Sequence, residues 1–398
     1  MNKTITSAIA ILVAGFATSA FAQDQTVKIG VLADISGAYA NLGGMGSVES
    51  ARMAVEDFGG TAAGMPVEVI FADGQNKPDV AAGIARQWYD DGVDMIAELP
   101  LSSIALAVME VAKEREKVVM VTSAISSQIT GESCTPYSVH WTSDTYAMAA
   151  AGAKAAVDRG AKKWFFIAPD YSLGTAAIAD ATTIVEANGG SVVGSVKHPF
   201  NNMDFSSYLL QAQSSGADVI GIASGGNDLV NAIKQAREFG IGSDGMAIAA
   251  LVASITDVHA IGIQDAAGMT LAEPVYWDQN DETREFAARF EEKVGSKPSQ
   301  SQAGIYGAVL HYLKAVDAAG TDDADAVMEK MREIPINDFM TNGGSLRIDG
   351  RVMRPMYAFE VKSADQSGSE WDLYNEIGTI PADQAVRPLS EGGCPLAN

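Results

Sequence analysis

The sequence predicts an α/β protein built from two doubly wound parallel-sheet lobes, joined by a hinge that the chain crosses more than once. Short apolar runs rich in β-branched residues recur along the 398 residues, and a helical stretch separates each run from the next. This alternation occurs in two consecutive cycles, and strands connected by helices in this way form parallel sheets covered on both faces. No Pro- or Ser-rich linker separates the cycles, which favours two lobes in close contact over independent domains.

The first cycle begins with a buried strand at Val27–Leu32, and the helix that follows it through Ser50–Glu56 ends at Gly59-Gly60. The same pattern predicts further strands and helices in this cycle. The strands are Val67–Ala72, Met95–Leu99 and Val118–Thr122, and the helices lie near 79–91 and 102–115.

The second cycle follows a break around Gly131–Pro136 and starts with a helix near 144–159. Its predicted strands are Trp164–Ala168, Val192–Val196, Val219–Ala223 and Ala247–Ala250, with helices near 174–188, 204–215 and 227–239. The remaining chain adds amphipathic helices at Glu282–Val294 and Ser301–Ala319 and strand-like pieces at Ser345–Ile348 and Met356–Val361. We expect this last part to complete both lobes, with the chain crossing between them more than once.

The predicted division of the chain has four parts. Residues 1–22 form a signal peptide, residues 23–142 with 275–345 form the first lobe, residues 143–274 with 346–385 form the second, and residues 386–398 form a C-terminal tail. Repeated crossings between the lobes are typical of a hinge rather than a loose linker.

The N-terminal segment has the pattern of an export signal. Lys3 precedes an apolar run from Ile5 to Ala20, and Ala20-Phe21-Ala22 matches the small-x-small cleavage pattern. The alternative is a membrane anchor, but the run is short for a bilayer span, and no later segment approaches 18 uninterrupted apolar residues. We therefore predict a soluble periplasmic protein, cleaved near Ala22.

Cys134 and Cys394 are the two cysteines of the chain. An even pair in an oxidising compartment predicts one disulfide, which would tie the C-terminal tail to the middle of the chain. Chain-entropy arguments assign such a long closure roughly 5 kcal/mol. The alternative is two separate thiols.

The charge balance limits the class of partner. Lys and Arg number 27 against 50 Asp and Glu, a net charge of −23 that removal of Lys3 with the signal peptide would make −24. So acidic a surface repels nucleic-acid backbones and anionic lipids. We therefore expect no nucleic-acid partner, and we attribute the charge to solubility rather than to a cationic ligand.

The chain carries no recognisable catalytic or metal motif. The histidines at 140, 198, 259 and 311 lie far apart without zinc-site spacing, and no nucleophile elbow or Walker A run is present. The glycine-rich Asn41–Gly46 lacks dinucleotide-binding spacing. We expect no enzyme activity, no cofactor and no metal.

The carboxyl ends of the predicted strands carry small hydroxyl residues and tyrosines, and ligands of α/β sheets bind at such ends. The runs are Ser36–Tyr39, Pro100–Ser103, Ser123–Ser127, Pro169–Ser172 and Ser224–Asn227. Helices beginning there would aim free N–H groups and a positive dipole end at a small anion such as a carboxylate. The alternatives are plain N-capping by the serines and core packing by Tyr39 and Tyr171.

These residues resemble those of periplasmic binding proteins of the branched-chain amino acid type, which have the type I fold and serve ABC transporters. The resemblance covers nearly all of the mature chain. Its carriers are Ile29–Val31 with Ser36-Gly37, the helix around Ala51–Asp57, Ser102-Ser103, Ser123–Ser126, Asp170–Gly174, Ala232–Ala236 and the helix Ser301–Ala319.

The resemblance implies a monomeric receptor that closes two lobes on a small carboxylate ligand and presents the closed form to membrane permease subunits. In such proteins, groups matching Ser102 or Ser103, Ala124 and Ser126 hold the carboxylate, and the residue matching Tyr171 lies across the cleft. The complete predicted ligand site is Tyr39, Ser102, Ser103, Ala124, Ile125, Ser126, Trp141, Tyr171 and Gly225.

The chain departs from that family at one position that bears on which ligand can bind. Members that bind α-amino acids usually place an acid after the fourth strand of the second lobe, whereas Ala249–Ala253 carries none and Asp257 is the first acid beyond it. Because an unpaired buried ammonium is costly, a keto, hydroxy or aromatic acid is an alternative to a branched-chain or related amino acid. Trp141 would then be an aromatic wall of the site, with core packing as the alternative.

Two more distant hypotheses remain at this point. An exported α/β enzyme would use the same cleft but needs a catalytic constellation. A sensory domain or a repressor of related architecture would need a transmembrane helix or a DNA-binding headpiece, and the sequence offers neither.

Overall fold

The computed structural model describes residues 26–242 and 245–397; the predicted signal peptide lies outside these residues. The strands are β1 Val27–Ala33, β2 Thr61–Ala62, β3 Met65–Asp73, β4 Met95–Glu98, β5 Val118–Val121, β6 Ser138–His140, β7 Lys163–Pro169, β8 Ser191–His198, β9 Val219–Ile222, β10 Ala247–Ala250, β11 Thr270–Glu273, β12 Ile336–Asp338, β13 Thr341–Leu346, β14 Val352–Met353, β15 Met356–Val361 and β16 Tyr374–Ile380.

The helices separate most of these strands. They are α1 Gly44–Phe58, α2 Pro78–Asp90, α3 Ser102–Arg115, α4 Thr145–Met148, α5 Lys154–Asp158, α6 Ser172–Ala187, α7 Ser206–Ser214, α8 Gly226–Glu238, α9 Ile255–Ile261, α10 Ile263–Ala266, α11 Asp281–Val294, α12 Gln300–Ala319, α13 Ala324–Glu333 and α14 Ala382–Ala385. A π-helical segment, Ala149–Ala153, joins α4 to α5.

The first lobe is organised on a six-stranded sheet with the order β2-β3-β1-β4-β5-β6. β1 lies inside the sheet and pairs in parallel with β3 and β4. Its apolar residues point to both faces, where α1 packs with α12 and α2 packs with α3. Burial on both faces explains why the strand is a nearly continuous apolar run.

The second lobe is organised on a seven-stranded sheet with the order β16-β15-β11-β10-β9-β7-β8. The strands from β7 to β11 pair in parallel, and β15 and β16 add an antiparallel edge. A small antiparallel sheet of β12, β13 and β14 is separate from both and packs on the core of the first lobe through Ile336, Leu346 and Val352. The prediction of two doubly wound lobes is thereby confirmed.

The chain passes between the lobes three times: between β6 and β7, after β11, and before β15. The first and third crossings are joined by a buried ion pair, in which Arg351 Nε lies 3.0 Å from Asp144 Oδ2. Arg351 Nη1 also donates to the carbonyl oxygen of Thr142 at 2.8 Å. The lobe boundaries proposed from the sequence stay a prediction.

Several elements were not predicted from the sequence, namely β2, β6, β11, β12, β14, β16, α9, α10, α13 and α14. β6 has three residues, Ser138-Val139-His140, and two of them are polar although all are buried. Such a short strand has no detectable period, and only its pairing with β5 defines it.

Cys134 and Cys394 form the predicted disulfide, with their Cα atoms 5.6 Å apart. The tail also contacts the same region through Arg387, whose Nη2 donates to the carbonyl oxygen of Ser127 at 3.1 Å. The C-terminal tail is therefore fastened to the loop that follows β5.

Candidate functional site

A cavity lies between the two lobes at the carboxyl ends of their strands. Its lining is Tyr39, Leu42, Pro100, Ser102, Ser123, Ile125, Tyr171, Leu173, Gly225, Val252, Gln300 and Ser301. The volume is about 20 Å³, close to the space that one water molecule occupies. The lobes are therefore closed against each other, and any larger ligand requires them to separate.

Three helices begin at this cavity without a side-chain cap. α3 starts at Ser102 after Leu101, α6 starts after Tyr171, and α8 starts after Gly225. By contrast, Asp144 caps α4 and Ser299 caps α12 with their side chains. Since uncapped first turns keep free N–H groups and a positive dipole end, α3 and α6 offer backbone donors to an anion, whereas the first N–H of α8, that of Gly226, already donates to Asp257 at 3.0 Å. The alternative that Ser102 is itself a cap is wrong, because Leu101 holds that position.

The first lobe supplies hydroxyl and amide side chains to the cavity. Ser301 Oγ donates to Ser123 Oγ at 3.2 Å. The Ser102 hydroxyl accepts from the backbone N–H of Ser126 at 3.3 Å. On the α12 side, Gln300 Oε1 accepts from the hydroxyl of Ser143 at 2.7 Å. These bonds fix the orientation of neutral donors and acceptors along one wall.

Tyr39 and Tyr171 meet across the interface between the lobes. Their hydroxyl oxygens lie 2.9 Å apart, and both rings contact Phe200, with centroids 5.8 and 6.0 Å away. The Tyr39 loop is held by Asp34, which accepts from the Tyr39 N–H at 2.8 Å. Burial raises the pKa of both phenols, so the pair forms a neutral hydrogen bond.

No charged side chain lines the cavity among the residues that the structure describes. Asp257, the first acid after β10, does not line the cavity, and its carboxylate accepts from the N–H groups of Gly226 and Ser254, each at 3.0 Å. Burial raises the pKa of Asp257 to about 6. The departure noted in the sequence agrees with this lining, since none of the described lining residues is an acid.

Five residues of the predicted site lie at the cavity, namely Tyr39, Ser102, Ile125, Tyr171 and Gly225. Three others lie beside it without lining it. Ser103 faces along α3, Ala124 uses its carbonyl oxygen to accept from His140 Nε2 at 2.8 Å, and Ser126 is buried with its hydroxyl accepting from the N–H of Gln128. Ligand contact by the predicted residues stays a prediction.

Trp141 requires a correction. Its side chain is fully buried in the core of the first lobe and does not line the cavity. It fits there because α12 carries glycine at the facing position Gly307, and the guanidinium of Arg354 lies 5.3 Å from its ring centroid. Trp141 therefore packs in the core of the first lobe, as the alternative had it, and it forms no wall of the cavity that the structure shows.

Sequence reasoning did not assign several lining residues, which are Leu42, Pro100, Ser123, Leu173, Val252, Gln300 and Ser301. Ser123 and Pro100 belong to strand-end runs that the sequence indicated as candidate ligand-binding segments. Gln300 and Ser301 are the first residues of α12. The sequence therefore marks them only as the start of a helix that lies far along the chain. Nothing in the sequence alone brings residue 301 beside residue 123.

Two further findings concern the described ranges, 26–242 and 245–397. None of their helices combines the length and apolar character needed to cross a membrane. No group of three or more His, Cys, Asp or Glu side chains within them is arranged to hold a metal ion.

Comparison with known proteins places the geometry in context. Residues 26–367 match the family described as periplasmic binding protein. A curated relative, the Leu/Ile/Val-binding protein homolog 6 of Brucella melitensis, is 25% identical over 376 residues, which are 92% of this chain and 94% of that protein.

Two crystal structures with higher identity have the same fold. A periplasmic binding protein from Burkholderia mallei is 44% identical with a TM-score of 0.91, covering 93% of this chain and 99% of that one. A branched chain amino acid ABC transporter periplasmic ligand-binding protein from Burkholderia xenovorans is 40% identical with a TM-score of 0.85, covering 94% and 100% of the two chains.

Proposed function

This chain belongs to the periplasmic binding protein family, and we propose that it is the periplasmic receptor of an ABC importer for a small carboxylate-bearing metabolite. The observation that carries the proposal is the uncharged cavity between the lobes, where three helices begin without side-chain caps. Backbone donors of this kind stabilise an anion without requiring Arg or Lys.

The shape of the site supports capture rather than catalysis. The lining combines neutral hydroxyls, one amide and apolar side chains, and it offers no nucleophile paired with a base. Binding by lobe closure needs only that the ligand contacts both lobes and has a higher affinity for the closed state. We therefore propose transport binding and no enzyme activity.

Two classes of carboxylate are candidates. Branched-chain amino acids come first, because the relatives above are named for them. A monocarboxylate without an amino group is the second, and the absence of an acid from the described lining favours it. An α-ammonium in this cavity would lose its hydration without a carboxylate partner.

The closed lobes imply how the ligand enters. The Tyr39–Tyr171 hydrogen bond closes the seam over a cavity of about 20 Å³, so entry requires opening at the three crossings. The ligand then replaces the contacts that the two faces make with each other. Permease subunits in the membrane are the proposed partner of the closed, monomeric receptor.

A matched pair of ligands tests the proposal. Leucine and 4-methyl-2-oxopentanoate have the same carbon skeleton and differ only in an ammonium or a keto group at Cα. We would titrate both, together with benzoate, by isothermal calorimetry at pH 6 and would follow lobe separation by X-ray scattering. Binding of at least one of the three without turnover supports the receptor role.

The variant Ser102→Ala should weaken that binding, since its hydroxyl lies at the start of α3, whereas Ser207→Ala on the exposed side of α7 should not. Chemical conversion of a bound compound would instead favour the enzyme hypothesis. Equal affinity of both serine variants would place the site elsewhere.

A further inference from the structure

Glu98 occupies a strained position directly beneath the cavity. It ends β4, it is fully buried, and its φ of +87° is followed by +64° at Leu99. Residues that carry side chains are strained in the left-handed region, and here two of them follow each other. The carbonyl oxygen of Glu98 accepts from the N–H of Ser123 at 3.2 Å. The strained turn therefore fixes the position of Ser123 at the cavity.

The carboxyl group of Glu98 joins three elements of the first lobe. Oε2 accepts from the hydroxyls of Ser47 on α1 and Thr122 after β5, each at 3.0 Å. Oε1 has no hydrogen-bond partner and lies against Gly43, where a Cβ atom would come within 1.9 Å of it. Glycine at position 43 is therefore required for this carboxyl to fit, and one of its oxygens remains unsatisfied.

Ser123 connects this carboxyl to the cavity. Its hydroxyl lies near the Glu98 carboxyl without a formed hydrogen bond to it, so Glu98 Oε1 stays without a partner, and it accepts from Ser301 Oγ at 3.2 Å. Because Ser301 supplies the hydrogen of that bond, the hydrogen of Ser123 is free to point at Glu98 or into the cavity. A serine hydroxyl has one hydrogen to donate, so it cannot serve both.

We propose that Glu98 is a positioning residue that makes ligand affinity depend on pH through Ser123. When Glu98 is ionised, its carboxylate takes the Ser123 hydrogen, and the serine presents only lone pairs to the cavity. When Glu98 takes up a proton from solvent, that carboxyl no longer needs the serine hydrogen, which becomes a donor to the ligand carboxylate. Carboxylate binding is then accompanied by uptake of one proton.

The surroundings of Glu98 place this change near neutral pH. Burial raises the pKa of Glu98 to about 7, and the Asp34 carboxylate raises it further, against the hydroxyl groups of Ser47, Thr122 and Ser123, which lower it. Asp34 follows β1, while the hydroxyls come from α1 and the end of β5. Both protonation states of Glu98 are therefore populated near neutral pH.

The inference rests on the proposed carboxylate ligand, and titration over pH separates the two. With 4-methyl-2-oxopentanoate, leucine and benzoate as probes, the wild-type affinity should weaken as the pH rises above 7, by at most about tenfold for each pH unit, and should level off once Glu98 is ionised in the complex as well. Calorimetry in buffers of different ionisation enthalpy should show proton uptake on binding. Glu98→Gln, which cannot ionise, should bind with the same affinity from pH 6 to 9, and Ser123→Ala should also lose the pH dependence.

Glu273→Gln provides the matched control. Glu273 is also buried at the end of a strand, but it bonds with Tyr374 and Ser254 and does not line the cavity. This variant should keep the wild-type pH dependence. Binding that is independent of pH in the wild type would overturn the role of Glu98 and leave the receptor function intact, whereas no binding of any probe at any pH would contradict the receptor's carboxylate ligand.

A measurement without ligand tests the same inference. In protein labelled with ¹³C at glutamate carboxyl carbons, the signal that Glu98→Gln removes should titrate with a midpoint near 7. Ser123→Ala should move that midpoint upwards, because the serine hydroxyl stabilises the carboxylate. A midpoint below 5, or one unmoved by Ser123→Ala, would refute the coupling regardless of which ligand is native.

Discussion

The two lobes contribute unlike faces to the same cavity. The first lobe presents the polar side chains of Tyr39, Ser102, Ser123, Gln300 and Ser301, whereas the second presents Tyr171 with Leu173, Gly225 and Val252. The buried acids differ in the same way. Glu98 of the first lobe faces a cavity hydroxyl, but Glu273 of the second bonds only within its own lobe.

This difference suggests an order of events in binding. A carboxylate ligand would find most of its side-chain hydrogen-bond donors on the first lobe, so we expect it to dock there while the lobes are apart. The second lobe would then cover the rest of the molecule with apolar surface, one phenol and the first turns of α6 and α8. The first face would determine which functional group is accepted, and the second would determine its size and shape.

The largest expected effect concerns Glu273, the buried acid that bonds only within the second lobe. Burial raises the pKa of Glu273 from 4.5 to about 8, so the native state holds a proton that the unfolded chain has already lost. This contribution to stability is fully present below pH 4.5 and is lost as the pH rises through 8. Glu273→Gln should therefore gain up to about 5 kcal/mol over the wild type between pH 5 and 9.

Urea unfolding at pH 5, 7 and 9 measures this gain, with Glu329→Gln on the exposed side of α13 as the control. The ligand affinity of Glu273→Gln should be unchanged. A change in affinity would break the distinction between the two buried acids.

The second effect tests the polar face directly. Ser123→Asp places a negative charge where the ligand carboxylate is expected. Repulsion between the two carboxylates should cost about 3 kcal/mol of binding free energy, roughly a hundredfold in affinity. Ser207→Asp, on the exposed side of α7, adds the same charge without this effect. Calorimetry gives the affinities, and thermal unfolding verifies that both variants fold. Equal affinities would remove Ser123 from the site.

The third variant converts the apolar face. Val252→Glu introduces an acid on the second lobe, beside the cavity, where an α-ammonium would find a partner. The affinity for leucine relative to 4-methyl-2-oxopentanoate should rise about tenfold. Val252→Gln has nearly the same size without the charge and serves as the control. If Val252→Glu and Val252→Gln have the same affinity for leucine relative to 4-methyl-2-oxopentanoate, the second lobe does not contribute to ligand selection as described.

The smallest effect is at the seam between the faces. Tyr171→Phe removes the hydrogen bond to Tyr39, which should destabilise the closed form without ligand by about 1 kcal/mol. X-ray scattering of the protein without ligand should then show a larger radius of gyration. Tyr208→Phe on α7 is the control. An unchanged scattering profile would mean that the phenol pair does not hold the lobes together.

The sequence was sufficient for the elements that carry strong local signals. Buried strands such as β1 and amphipathic helices such as α8 and α11 lie where their apolar patterns predicted them. β6 and β11 were missed although β9, which is also four residues long, was predicted, because polar residues interrupt Ser138–His140 and Thr270–Glu273 whereas β9 is wholly apolar. The π-helical segment Ala149–Ala153 has no distinguishing composition, since alanine and glycine also suit other conformations.

The site was predictable only where it coincides with strand ends. Ser102, Tyr171 and Gly225 follow strands directly, and the rule for α/β sheets located them. Trp141 also follows a strand, but its pocket is created by Gly307, more than a hundred residues later in the chain. The role of Gln300 and Ser301 likewise depends on α12 packing against α1, which is a tertiary contact without a local signature.

The phenol pair also bears on how much ATP an importer would consume. A transporter that recognises lobe closure responds to an empty receptor whenever Tyr39 and Tyr171 meet by themselves. The strength of that single bond would then set the rate of futile hydrolysis in the absence of nutrient. Cells with Tyr171→Phe would be expected to waste less energy when starved, because the empty receptor would be closed for less of the time.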